Sequence, residues 1–506
     1  MRFDRTKNST RTFAFGIIYK LLTILGPFVT RTIIIYKLGN EYLGLSSLFT
    51  SVLSILNISE LGIGSAIAFC LYKPVAEDDR DTVRALLSLL RRLYKLIGGV
   101  ILVLGVVLLP LLPHFITGYI PEDINIYLLY ILYLVNAASS YIGFAYKGTL
   151  FTVYQRGDVV HKIQTVAEIL KYTLQVIVLL AFGNYYIYTT ILLFCTVFIT
   201  IGTQVASKNY FPDLEPDGEV NDELKKIIKS KVLYLSAHSI AAKLTNSIDN
   251  IVISGAIGLA AIGLYGNYSY VTSAVLGVLL IAYQTLTPAI GNSLCSDSRE
   301  NNVQLFNGLH FICFWVIVFC TTSIVCLLQP FMRIWVGEKN LLSTTVVLML
   351  ALFFYSNATR QLLTTYVGAA GLWNKTLVRQ ILAATANFIL DVILVKPFGI
   401  SGIVFASFFT NTFISLPMDV YVMYKYILHR NYQNGLMKEI FSFFVTLVMC
   451  GITYFACSFI TNVGILGLLL KLLLCVLIPN TIILILFHKT SNFKFLMTHL
   501  KMLLHK

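Results

Sequence analysis

The chain runs to 506 residues, of which 57% are hydrophobic and only 12% charged, and its mean hydropathy is +0.78. That balance excludes a soluble domain with a charged shell and implies a polytopic membrane protein. Lys and Arg number 38 against 24 Asp and Glu, a net charge of +14, but the cations are scattered over many short segments, which excludes the basic stripe of a nucleic-acid binder.

Apolar runs near the roughly 20 residues needed to cross a bilayer predict about fourteen transmembrane helices. Span one (12–38) carries Lys20, Pro27 and Arg31 on one helical face. It is far longer than a signal-peptide core and has no obvious cleavage site, so it is expected to remain as the first helix. Span two (41–72) holds Glu60, followed by Gly62 and Gly64. The charged loop Asp78-Asp79-Arg80-Asp81 before span three reads as solvated surface. Spans three and four follow at 93–116 and 125–147. In span five (163–182), Gln164, Glu168, Lys171 and Gln175 are spaced i, i+4, i+7 and i+11, on one face. Glu168 and Lys171 also have the i, i+3 spacing of an ion pair.

Span six (186–208) is followed by a segment, 209–231, that reads as a linker. Span seven (232–257) carries Lys243, Asn246, Asp249 and Asn250; span eight (263–290) ends near Pro288, which like Pro27 could bend its helix. Span nine covers 304–328. Span ten (343–370) presents Asn357, Arg360, Gln361 and Thr364, and span eleven (378–396) Gln380, Ala384, Asn387 and Asp391. Spans twelve to fourteen lie at 401–424, 439–461 and 465–487. The longest expected extracytoplasmic segment, 329–342, is too short for a catalytic domain. With no phosphate-cradling or H-E-x-x-H motif, the sequence reads as a transporter without a cofactor rather than an enzyme. The nine cysteines (70, 195, 295, 313, 320, 326, 450, 457 and 475) show no C-x-x-C spacing. They read as small packing residues; even Cys313 and Cys320, seven apart, suit a packing face better than a metal site.

Of the 38 cations, 26 fall in segments on the N-terminal side of the membrane and four, Lys37, Arg333, Lys339 and Lys396, on the other. The positive-inside bias therefore predicts that both termini are cytoplasmic.

The chain also repeats itself. Leu38 to Leu45 (LGNEYLGL) matches Ile257 to Leu264 (IGLAAIGL) with both glycines in register at an offset of 219 residues, and the same offset carries Asp78-Asp79-Arg80-Asp81 onto Asp297-Ser298-Arg299-Glu300. At an offset of 216, the polar stripe of span five falls on Gln380, Ala384, Asn387 and Asp391, and Phe182-Gly183 falls on Phe398-Gly399. Two six-helix lobes are expected: 1–208 (spans one to six) and 232–424 (spans seven to twelve), joined by 209–231. Residues 425–506 then hold spans thirteen and fourteen and a cytoplasmic tail. Six spans per lobe make the repeat parallel, about an axis along the membrane normal.

Nine ionisable residues lie well inside these spans: Lys20, Arg31, Glu60, Glu168, Lys171, Lys243, Asp249, Arg360 and Asp391. Facing lipid at ~3 kcal/mol each, they would cost roughly 27 kcal/mol, more than a typical protein's whole stability. They are expected to face one another or water, either as a cavity shared by the lobes or as interhelical hydrogen-bonding glue.

Arg31 to Leu45 (RTIIIYKLGNEYLGL), Ser59 to Ala66 (SELGIGSA) and Leu71-Tyr72-Lys73-Pro74 resemble the N-terminal region of Wzx-type polysaccharide flippases. These belong to the multidrug/oligosaccharidyl-lipid/polysaccharide exporter (MOP) superfamily, with the lipid II flippases and MATE drug exporters. The motif match is specific over roughly the first 90 residues. The resemblance implies an all-α, MATE-like V of two six-helix lobes plus two C-terminal helices. It also implies alternating-access transfer of an undecaprenyl-pyrophosphate-linked oligosaccharide to the outer leaflet through a cationic cavity, for O-antigen, capsule or a similar surface polymer.

A pyrophosphate headgroup needs buried cations to replace its hydration. Arg31, Arg360, Lys20, Lys171 and Lys243 are the candidates, the two arginines first because a guanidinium binds phosphate oxygens in bidentate fashion. Gln164, Gln175, Asn246, Asn250, Asn357, Gln361, Gln380 and Asn387 are polar cavity candidates for the sugars. Coupling to H+ or Na+ falls to Glu60, Asp249, Glu168 or Asp391, because burial favours a protonated carboxyl. The expected partners are the lipid-linked glycan, the coupling ion and membrane lipid, with a polysaccharide polymerase and chain-length components as further candidates; the setting is a bacterial inner membrane. A MATE-like exporter of small organic molecules and a membrane polysaccharide polymerase stand as alternatives. The first predicts a net acidic cavity, the second a large Arg- or His-rich outer loop.

Overall fold

The computed structural model describes residues 5–57, 63–143, 146–296, 298–491 and 493, and among them there is no β-strand. The helices in chain order are α1 (Arg5–Lys37), α2 (Asn40–Leu56), α3 (Ile63–Ala76), α4 (Arg80–Leu108), α5 (Ile126–Ile142), α6 (Tyr146–Val153), α7 (Gly157–Ala181), α8 (Tyr185–Tyr210) and α9 (Asp222–Ala256). They continue with α10 (Leu259–Ser296), α11 (Arg299–Val336), α12 (Thr344–Ala369), α13 (Leu377–Phe409), α14 (Leu416–Val422), α15 (Tyr432–Ser458) and α16 (Ile465–Phe487). A 3-10 turn (Leu109–Phe115) extends α4, and π-helical turns at Thr410–Ser415 and Met423–Ile427 flank α14.

Among the described residues, each predicted span falls mainly on helix. Ten of the described helical runs are long and apolar enough to cross a membrane, or eleven if α5 and α6 form one span. The number is lower than about fourteen because some spans merge, one is described only in part and one carries several charges. Spans eleven and twelve form one run from Leu377 to Ile427, span two is described on either side of 58–62, and α9 carries Lys231, His238, Lys243 and Asp249. At 38 residues each, α10 and α11 reach about 57 Å and so extend beyond a ~30 Å hydrocarbon layer.

The described residues form two compact units, 1–263 and 264–506. In the first, α1 packs on α7, α7 on α8, and α9 against α2 and α3. Asp213, Glu215, Asp217 and Glu219 alternate along the segment before α9 and pair with Arg80 (3.0 Å), Lys147 (2.9 Å), Arg84 (3.1 Å) and Arg92 (3.4 Å), fastening it to α4 and α6. In the second unit, Tyr283, Phe306, Leu363, Tyr366, Val420 and Met423 form the largest described core. α15 and α16 join α11 through Phe311, Val318, Met449 and Ile483. Exposed apolar side chains such as Val106 and Val107 on α4 and Phe444 and Val448 on α15 suit a lipid-facing surface.

The repeat is written into the backbone. Gly39 (φ +118°) and Gly258 (φ +126°) are 219 residues apart, and Gly183 (φ +61°) and Gly399 (φ +57°) are 216 apart; each pair takes a conformation that side chains disfavour. Asp79 and Ser298, also 219 apart, cap α4 and α11 by accepting from the Thr82 and Asn301 amides. Within the first unit, the starts of α2 and α10 cross through equivalent glycines. A Cβ on Gly44 would lie 2.1 Å from the Leu259 carbonyl oxygen, and one on Gly263 would lie 2.2 Å from that of Asn40.

Candidate functional site

In the first unit, the polar stripe of α7 turns inward: Glu168 and Gln175 are buried, Gln164 and Lys171 half-buried. The close approach of α1 at Gly26, where a Cβ would meet the Tyr172 ring at 2.2 Å, sets this face against α1. Lys171 pairs with Glu168 at 2.5 Å, and its ammonium lies 4.3 Å from the centre of the Tyr172 ring. The Gln175 amide donates to the Tyr188 carbonyl on α8 (3.3 Å), and Arg31 from α1 acts electrostatically on the Tyr188 hydroxyl. Thus α1, α7 and α8 gather Arg31, Glu168, Lys171 and Gln175. Gln164 instead faces His161 Nδ1 at 3.2 Å.

The remaining candidates of this unit lie elsewhere. Asn250 donates to Ser51 Oγ (2.9 Å) where α9 meets α2, with Asp249 buried beside it in sequence. Lys243 is half-buried and Lys20 exposed. Glu60 and the side chain of Asn246 lie outside the described residues.

In the second unit, Arg360 on α12 does not stand alone. Its Nε donates to Asp419 Oδ2 at 2.9 Å, while Arg379 Nη1 donates to the same oxygen at 2.8 Å. Asp419 is fully buried, and the side chains of Arg379 and Arg360 are only 3% and 15% exposed. A second Arg360 amino group donates to Asn411 Oδ1 on the π-helical turn; such turns recur at functional sites because they re-aim side chains. Two guanidinium groups on one carboxylate leave a net charge of +1. Nearby on α12, the Gln361 amide donates to Asn357 Oδ1 (3.0 Å).

The stripe of α13 is buried like that of α7, with Ala384, Asn387 and Asp391 inside and Gln380 half-buried. Gly399 breaks α13 and turns it back on itself, so closely that a Cβ on Gly402 would meet the Leu394 carbonyl oxygen at 2.4 Å. The turn brings Ser407 to Asn387, whose amide nitrogen donates to Ser407 Oγ at 3.2 Å. Asn387 Oδ1 is buried without a hydrogen-bond partner among the described residues, one helical turn from the fully buried Asp391. Oxygen donors in this arrangement suit a proton or a small hard cation.

Three functional-looking groups escaped the sequence reading. Arg379 sits at the edge of span eleven, where a cation reads as loop, and Asp419 lies inside span twelve, where an isolated carboxylate is the available signal. His310 on α11 meets Glu439 on α15 at 2.8 Å, both buried; Glu439 falls at the first residue of span thirteen, so nothing marked it as buried.

A model of the family described as polysaccharide biosynthesis protein matches residues 9–294. Among curated proteins none matches. Among solved structures, the lipid II flippase MurJ in an inward closed conformation superposes with a TM-score of 0.71 at 13% identity, covering 94% of this chain and 99% of its own. An inward-facing multidrug resistance MATE family transporter of the MOP superfamily follows at 0.62 and 14%, covering 82% of this chain and 98% of its own. A Vibrio cholerae MATE transporter gives 0.57 and 15%, covering 87% and 99%. At these identities the likeness is one of fold.

Proposed function

The chain belongs to the polysaccharide biosynthesis protein family, and from that premise we propose that it is a flippase that moves an undecaprenyl-pyrophosphate-linked oligosaccharide from the cytoplasmic to the outer leaflet. Its fold is that of the MurJ and MATE transporters. The observation that carries the substrate class is the pairing of Arg360 and Arg379 on Asp419, a buried cluster of two guanidiniums and one carboxylate whose own charge is +1. A buried cationic cluster favours an anionic headgroup over the organic cations that would call for an acidic site.

In this proposal Arg31 and Arg360 contact pyrophosphate oxygens, with Lys171, Lys243 and Lys20 supporting them. Gln175, Gln164, Asn250, Asn246, Asn357, Gln361 and Gln380 meet the sugars. Transfer proceeds by alternating access of the covalent repeats 1–208 and 232–424, in a bacterial inner membrane with both termini cytoplasmic. An ion gradient drives it, and Asp391 with Asn387 is the favoured coupling site because the Asn387 Oδ1, without a hydrogen-bond partner among the described residues, lies one turn from a fully buried carboxylate. Asp249, Glu168 and Glu60 are the other carboxylates proposed for that role.

The test is flipping in proteoliposomes with a defined lipid-linked sugar under imposed H+ or Na+ gradients. Arg360→Ala leaves Asp419 paired with Arg379, so the protein is expected to fold. Both Arg360→Ala and Arg31→Ala should abolish transfer at normal membrane levels. Wild-type transfer by both variants would overturn the substrate assignment, and gradient-independent transfer would overturn the coupling.

A further inference from the structure

Three cysteines far apart in sequence converge where α15 and α16 pack on α11. The sulfurs of Cys326 on α11, Cys457 on α15 and Cys475 on α16 all lie within 4.8 Å of one another. Their residues are 4%, 3% and 0% exposed, and Val325, Leu327 and Leu474 pack around them. Packing alone would not require three thiols to meet head to head, since alanine or valine fills such a space without a polarisable, ionisable atom.

We propose that this triad binds one thiophilic d10 cation, Cu(I), in three-coordinate thiolate geometry. The donor set chooses the ion. Sulfur-only ligation selects soft cations, and carboxylate or imidazole donors that would favour harder ones are missing from this cluster among the described residues. Structural zinc takes four ligands in a tetrahedron, whereas three sulfurs at the corners of a triangle satisfy Cu(I). With metal–sulfur bonds of about 2.3 Å in one plane, the sulfurs would stand about 4.0 Å apart, inside the separation observed.

The charges balance without a redox step. Copper enters and stays as Cu(I); the three thiols release their protons to water and bind as thiolates, leaving the cluster at −2. Lys471 lies one turn before Cys475 on α16 and acts electrostatically on Cys457, so its ammonium offsets half of that charge. The Cys457 thiol also points to the Lys471 carbonyl at 3.9 Å. Because α15 and α16 stand outside the six-helix repeat, the metal would fasten the appended pair to α11, independently of the proposed transport site.

The test uses the full chain, purified in detergent, reduced and kept anaerobic, then titrated with Cu(I) against a competing chelator. Metal content and sulfur-to-copper charge-transfer absorption are the readouts. Wild type and Cys450→Ser, whose thiol contacts Thr322 instead, should each retain one copper per chain. Cys326→Ser, Cys457→Ser and Cys475→Ser should each lose it, with unchanged far-ultraviolet circular dichroism showing that they remain folded. Retention of copper by the triple serine variant would overturn the assignment. So would preferential uptake of Zn(II), or a disulfide within the triad in protein that takes up no copper after reduction.

Discussion

The two stripes that the repeat places at equivalent positions, on α7 and α13, deal with buried charge in opposite ways. On α7 the cation and its carboxylate, Lys171 and Glu168, lie three residues apart on one helix, so the pair forms as soon as the helix does. On α13 the equivalent positions are Ala384 and Asn387, and the cations of this unit meet their carboxylate across three elements: Arg360 from α12, Arg379 from α13 and Asp419 from α14. The first arrangement neutralises locally. The second ties tertiary structure together and leaves the cluster itself at +1, so the two lobes pair their buried charges differently on a common scaffold.

The largest expected effect follows from that contrast. Asp419→Asn removes the one carboxylate that two buried guanidiniums share, and breaking a buried pair in this way costs about 3–5 kcal/mol. Glu168→Gln removes the equivalent partner from Lys171, but the ammonium keeps its place over the Tyr172 ring, and the expected loss is smaller, about 2 kcal/mol. Thermal unfolding in detergent, followed by intrinsic fluorescence, checks both. Equal losses would break the comparison, because Lys171 would then depend on its carboxylate as heavily as Arg360 and Arg379 depend on theirs.

A smaller effect tests whether the lobes are equivalent where their backbones cross. Gly44→Ala and Gly263→Ala each drive a methyl group onto a backbone carbonyl little more than 2 Å away, and overpacking of this kind costs about 1–3 kcal/mol. The two losses should match within error, since each glycine meets the residue equivalent to the other's neighbour. Gly99→Ala on α4, with nothing within 4 Å of its Cβ, is the control and should be neutral or slightly stabilising. A large difference between the two crossing variants would show that the symmetry of the contact is not matched in energy.

Much of this was legible in the residues, for a physical reason. Long apolar runs and i, i+4, i+7 polar stripes are local signals, so the helices and the inward face of α7 and α13 could be read directly. The glycine registers were legible too, because a positive φ or a close crossing leaves glycine as the residue that fits; Gly39 with Gly258 and Gly183 with Gly399 are such cases. What escaped is what depends on who meets whom in three dimensions. Asp419 shares its charge with Arg360 from 59 residues away and Arg379 from 40, and His310 finds Glu439 across 129 residues. The alternating acids of 213–219 read as part of a linker, although they fasten to bases on α4 and α6. No spacing rule encodes these meetings.

The smallest effect separates the lobes by pH. Asp79 and Ser298 cap the first turns of α4 and α11 at equivalent positions, but only the first can titrate. Hydrogen bonds from the side chain and then the backbone of Thr82 hold the Asp79 carboxyl below its ordinary value of 3.8. A carboxyl lowered on folding contributes stability above its unfolded value and loses it as the pH falls through the folded one. The cap of α4 should therefore weaken on acidification below pH 3.8, whereas the serine cap of α11 should not change. Amide hydrogen exchange in the first turns of the two helices, corrected for intrinsic rates, reads this directly. Ser298→Ala should open the α11 turn at every pH, at a cost of about 1 kcal/mol, and Asp79→Ala should leave the α4 turn open and insensitive to acid. If both wild-type turns opened together on acidification, the cause would lie in the bundle as a whole, and the caps would no longer distinguish one lobe from the other.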